Sequence, residues 1–177
     1  VQPYGTAPVS LPSGLRPSVC MREALGPRFA ELIDAQTLLA DDYLVATRCS
    51  ESLITPYLDE VFRKSLESYR TFISSLVTLK LVTFTRNPKS FVAPFFVSKK
   101  NNKLRLVWDC RVANLHFKSS PEMDIGGADL LQHLHIPSDE TWFIAQADVE
   151  NCFYQCALES WMCDYFALNC TYVGSEA

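Results

Sequence analysis

Two stretches of the chain carry residues that could do chemistry: AQADVENCFYQCAL, residues 145–158, and KKNNKLRLVWDCRVANLHF, residues 99–117. In the first, Asp148 follows the apolar run Trp142-Phe143-Ile144-Ala145, and Phe153 comes five residues after it. Read alone, a carboxylate in that place is a helix N-cap whose oxygen accepts a backbone N–H. The second stretch is basic. Between Lys80 and Lys118 there are nine Lys and Arg residues against the single acid Asp109, a net +8, which leaves −12 for the remainder of a chain whose total is −4. Lys and Arg concentrated in this way gain affinity for polyanions by releasing counterions from phosphates. The competing reading is a solvated hairpin edge, where lysines discourage edge-to-edge pairing.

Taken in order, the basic hairpin is followed by Arg105, Asp109, Arg111 and Asn114, then by Asp148, the aromatic pair Phe153-Tyr154 and Tyr165-Phe166-Ala167-Leu168. Over roughly residues 50–170 this order and spacing resemble the fingers and first palm motif of the reverse transcriptases of retroelements. The resemblance implies an α+β fold, the fingers and partial palm of a right-hand polymerase, truncated before the second catalytic Asp pair. No acidic pair follows Asp148. It implies a fragment of an RNA-directed DNA polymerase, inactive alone, whose complete form transfers deoxynucleotides with two magnesium ions, manganese being the alternative. Such ions bridge nucleotide phosphates and take hard oxygen ligands.

By the same resemblance Asp148 and the backbone carbonyl of Val149 ligate metal, while Arg105 lies against the incoming base and triphosphate, which a planar guanidinium can do and an ammonium cannot. Lys99, Lys100 or Lys103 neutralises phosphate, with the choice among them open. Phe153 sits under the sugar and leaves no room for a 2′-hydroxyl, the group that distinguishes ribonucleotides. Its alternative is a core aromatic beside Tyr154. Glu150, on an extended strand, faces away from Asp148. Asp109 and Arg111 read as a structural pair, since half-buried charges have partners. The implied partners are an RNA or DNA template-primer, deoxynucleoside triphosphates, and the remaining palm, thumb and RNase H parts of a parent polyprotein. A different reading is a non-catalytic retroelement remnant that binds nucleic acid or protein; a third, an RNA-copying RNA polymerase, is opposed by Phe153.

Periodicity gives the elements that must position these residues. One helical region is expected over Arg28–Thr47. A second, longer helix has Thr55 as N-cap and Pro56 at its first position, with Leu58, Val61, Phe62, Leu66, Tyr69, Phe72, Ile73, Leu76 and Leu79 at intervals suited to one buried face. Leu81–Phe84, Phe91–Val97 and Leu104–Val107 read as strands, the last two closed by Asn101-Asn102, residues that tolerate left-handed backbone. A short helix is expected over Ala128–Leu134 and a strand over Thr141–Ala147 that delivers Asp148. The domain reading is a Pro-rich linker over 1–20, a helical part of the fingers over 21–80, the basic β-hairpin over 81–118 and the start of the palm over 119–177.

The composition, 48% hydrophobic and 20% charged, suits a packed globular chain of 177 residues. No apolar run approaches the roughly 18 residues of a membrane span, and the first residues lack the basic and apolar regions of a signal peptide, so no membrane partner is expected. Absence of an initiating Met reads as a chain cut from something longer. Seven cysteines without a Cys-x-x-Cys pair or a nearby histidine cluster argue against a zinc site. They are expected to be reduced and mostly buried in an intracellular, cytoplasmic or nuclear, compartment.

Overall fold

Strand β1 (Phe91–Lys99) pairs antiparallel with β2 (Lys103–Asp109), from Ala93 opposite Asp109 to Lys99 opposite Lys103. The turn between them is Lys100-Asn101-Asn102, and both asparagines hold positive φ, 67° and 52°. These are the residue types that tolerate left-handed backbone, so the hairpin closes where their pair stands. A short parallel strand β3 (Ala167–Leu168) joins the other side of β1, giving the order β2-β1-β3. The fold is α+β. In the computed structural model, residues 1–12, 19–120, 133, 143, 145, 147–148 and 151–169 are described.

Pro94 lies inside β1 without breaking it. Its carbonyl accepts from the Asp59 N–H at 3.0 Å, so its backbone polar side faces away from β2 and the missing N–H costs no bond in the β1–β2 ladder.

Among the described residues, six α-helices precede the sheet: α1 (Met21–Leu25), α2 (Phe29–Ile33), α3 (Ala35–Leu38), α4 (Asp42–Glu51), α5 (Glu60–Lys64) and α6 (Leu66–Thr78). The continuous helix expected over Arg28–Thr47 is therefore divided. Asp34 and Asp41 each turn a carboxylate back onto the helix that follows, accepting from Gln36 N at 2.9 Å and Leu44 N at 2.7 Å, so each starts a new helix. The long second helix is divided as well. Its N-cap is Asp59 and not Thr55, because residues 55–57 are held in a loop by Asp109 and Arg111, and Ser65 then caps α6 by accepting from Ser68 N at 3.1 Å.

Helix α6 buries Tyr69, Phe72, Ile73 and Leu76, the three- and four-residue spacing of a single face. It ends where Lys80 takes φ 56°, with Lys80 N donating to Val77 O and Leu81 N to Leu76 O. This is a Schellman ending with lysine where glycine is usual. The strand expected at Leu81–Phe84 does not form: Leu81 and Val82 pack against the core from an unpaired stretch that leaves this turn.

The core lies between α5–α6 and one face of the hairpin, and it joins Phe62, Tyr69, Phe72, Ile73 and Leu76 to Phe96, Leu104 and Leu106. Phe62 stacks on Phe72 at 5.1 Å, and Phe96 meets Phe72 edge-on at 5.5 Å, both favourable aromatic geometries.

The Pro-rich linker expected over 1–20 is corrected over the first 12 residues, of which Tyr4, Ala7, Val9 and Leu11 pack against this core. Tyr4 packs its ring on Phe62, Phe72 and Phe96, and its N–H donates to the buried Asp59 at 3.1 Å. Gln2 N donates to Phe96 O on β1, while Leu104 N donates to Pro8 O and Ser10 N to Leu104 O on β2. Prolines suppress helix here without preventing the chain from lying along strand edges.

The chain divides into two compact units, residues 119–150 and the remainder. The expected start of the palm over 119–177 is thus split: α7 (Cys152–Gln155), α8 (Ser160–Cys163) and β3 belong with the hairpin unit. There Phe117 stacks on Phe166 at 5.7 Å and meets Tyr165 edge-on at 5.5 Å, while Lys89 N and Ser90 N donate to Asp164 O. In the other unit the helix expected at 128–134 lies, apart from exposed His133, outside the described residues. The strand expected over Thr141–Ala147 falls partly outside them too; Phe143, Ala145 and Ala147 are exposed and in no strand.

Candidate nucleic-acid interface

Because strand side chains alternate, the hairpin has two unlike faces. Phe96, Leu104 and Leu106 enter the core from one. The other carries, as cross-strand pairs from the tip inward, Lys99 with Lys103, Val97 with Arg105, Phe95 with Val107 and Ala93 with Asp109. Lys99, Lys100, Lys103 and Arg105 are exposed, Val97, Phe95 and Val107 half-buried, and Asp109 buried. The ion pairs among the described residues are Arg22–Glu159, Lys64–Glu60 and Arg111–Asp109, and none of them draws on the hairpin tip. Lys99 and Lys103 directly opposite one another repel unless an anion lies between them or water screens them. A basic rim beside a half-buried apolar strip can take phosphates and the flat side of a base or sugar.

At the inner end of this face, Asp109 is 6% exposed and accepts four N–H groups. Arg111 donates from Nε at 2.9 Å, from Nη2 at 2.6 Å and from its backbone at 3.2 Å, and Tyr57 donates from its backbone at 2.7 Å. The Arg111 side-chain hydrogen bonds hold the Asp109 carboxyl well below the usual carboxylate range, against the opposing effect of burial. Arg111 also reaches Thr55 O at 3.3 Å, so the pair closes the 55–57 loop onto the strand end. Tyr57 then meets Phe95 edge-on at 5.4 Å and extends the aromatic strip. The structural role of Asp109 and Arg111 is observed directly. Tyr57 carried no sequence signal, since its place depends on an acceptor 52 residues away.

Asp148 is exposed and belongs to the second unit, while Val149 and Glu150 lie outside the described residues. Phe153 is on α7 and 93% exposed, which overturns its reading as a core aromatic. Asp148 carries a carboxylate, the hard-oxygen type of group that magnesium takes, and no cluster of three or more His, Cys, Asp or Glu occurs among the described residues.

The described cysteines are free but not mostly buried: Cys20, Cys49, Cys152 and Cys156 are exposed, with Cys110 and Cys163 half-buried. Burial pushes the Cys110 and Cys163 thiols up, so both stay protonated near neutral pH and are poor nucleophiles. His116, held against Tyr165 at 5.3 Å, is pushed down by burial and by Lys89, and is neutral under the same conditions. No described helix is long and apolar enough to cross a membrane. No family model, curated protein or solved structure matches the chain.

Proposed function

We propose that the chain is the fingers and opening palm segment of a retroelement-type reverse transcriptase, and that the exposed hairpin face is where it meets nucleic acid and nucleotide. The observation that carries this reading is the sorting of Lys99, Lys103 and Arg105 onto one face of a hairpin whose opposite face is locked in the core. Rigid backing and an exposed cationic rim suit a surface that grips phosphate. Arg105 reaches across from Val97, where a guanidinium can lie flat against a base and also donate to phosphate oxygens. The motif order from Arg105 through Asp148 to Phe153, which resembles that of reverse transcriptases, supports the polymerase class.

In the complete protein Asp148 and the Val149 carbonyl would hold magnesium, which stabilises the charge on the transferring phosphate. Phe153, exposed on its helix, is free to meet a sugar and select the deoxy form. The test is binding of single-stranded RNA over a range of salt. Neutralising Lys99, Lys100 and Lys103 together should weaken binding and flatten its dependence on salt. Equal slopes for the wild type and the triple variant would return these lysines to a solvated edge and favour the reading as a non-catalytic remnant that binds protein.

A further inference from the structure

The first residues of the chain reach the same basic tip from the opposite side of β2. Without them the outer edge of β2 would be open, and a hairpin of two strands is only marginally stable by itself. Val9 forms an isolated parallel bridge with Leu104. Both backbone groups of Leu104 are taken, its N–H by Pro8 O at 2.9 Å and its carbonyl by Ser10 N at 2.7 Å. Leu104 is the residue between Lys103 and Arg105, so these bonds set the backbone from which both cations project. The Ser10 hydroxyl meets Lys99 Nζ at 2.9 Å, which places the third cation. Further along, Tyr4 anchors the same segment in the aromatic core and through Asp59.

We propose that residues 8–10 form a strap that pre-organises the basic hairpin for polyanion binding, with Ser10 as a positioning residue for Lys99. This rests on the assignment of the exposed hairpin face to nucleic acid. Long cationic side chains lose rotamer freedom when they grip phosphate, and a tip already held in place loses less. Ser10 need not touch the nucleic acid. It acts through Lys99 and through the β2 backbone.

The experiment uses the full chain and a fluorescein-labelled single-stranded oligouridylate at low and moderate salt. Ser10→Ala removes the contact to Lys99 and keeps the backbone bonds, whereas Ser10→Pro also removes the N–H that donates to Leu104 O. Ser10→Ala should bind about two- to five-fold more weakly, the scale of one newly mobile side chain. In a Lys99→Ala background the same change should have no further effect, because the side chain it positions is gone. Ser10→Pro should bind more weakly still, with faster amide hydrogen exchange at Leu104 and Arg105; if it fails to fold, the Ser10→Ala and Lys99→Ala cycle decides alone. Unchanged binding by Ser10→Ala, or an equal loss in the Lys99→Ala background, overturns the strap while Lys103→Ala/Arg105→Ala still weakens binding. If that basic-face variant also binds like the wild type, the face assignment falls and the strap with it.

Discussion

Leu104 and Arg105 are neighbours on one strand and belong to opposite faces of the hairpin. Leu104 is 2% exposed, in the same core cluster as Phe62, Phe72 and Phe96, with both backbone groups tied to the N-terminal segment. Arg105 stands in solvent opposite Val97, one step from the Lys99 and Lys103 pair. The period of two in a strand places cohesion on one side and charge on the other. Stability and binding should therefore be separable by substitutions a single residue apart. Helix α4 gives the contrasting case: it buries no residue, and Arg48 bonds to the Phe117 carbonyl at 2.8 Å where its segment meets the 113–117 turn. Helix α4 itself therefore has no dry face from which to present a site.

The largest effects should come from the core face. Phe72→Ala and Phe96→Ala should each cost about 3–5 kcal/mol, the usual range for a fully buried phenyl ring, read as a fall in ΔG from urea unfolding. Leu104→Ala should cost about 2–4 kcal/mol, and a loss no larger than that of Arg105→Ala would break the two-face comparison.

Asp109→Ala comes next, at about 1–3 kcal/mol, because it removes the buried acceptor that holds both the Tyr57 N–H and the Arg111 side chain. Its pH dependence has a definite sign. The native pKa of Asp109 is depressed, so its contribution to stability is fully present above the ordinary carboxylate pKa of about 3.9 and is lost as pH falls below that value. Wild-type stability should thus drop more than that of Asp109→Asn between about pH 6 and pH 3. Parallel curves would show that the Arg111 pair contributes nothing to folding.

On the exposed face, Arg105→Ala should change stability by no more than about 0.5 kcal/mol while weakening RNA binding, measured on the same protein preparation. Phe153→Val should have the smallest effect on folding, within about 0.5 kcal/mol, since its ring is 93% exposed. On the proposed role of Phe153 as a wall against the 2′-hydroxyl, the same change in a protein extended by the rest of the palm should raise incorporation of ribonucleotides relative to deoxynucleotides. An unaltered ratio would take Phe153 out of the sugar site.

The hairpin was legible in the amino-acid order because alternating burial and an Asn-Asn turn are local signals. The apolar face of α6 was legible for the same reason. Its separation from α5 was not, since the apolar spacing runs unbroken through Ser65 and only the Ser65 hydroxyl on Ser68 N marks the new start. Of the site, the basic residues and the Asp109–Arg111 pair could be read from residue type and spacing. Tyr57 and Ser10 could not, because neither has a distinctive neighbour in sequence.

What the sequence determined by itself was therefore whatever depends on residues within a few positions: the α+β composition, the charge concentrated in one segment, the closure of the hairpin and the order of motifs around Asp148 and Phe153. Tertiary structure alone decided that the proline-containing first residues are a strap, that Tyr4 belongs to the core, and that the 55–57 loop is latched to β2. The physical reason is range. Side-chain periodicity and turn chemistry act along the chain, whereas the bonds from Tyr4 to Asp59, Tyr57 to Asp109 and Lys99 to Ser10 join residues 55, 52 and 89 positions apart and exist only once the core has brought them together.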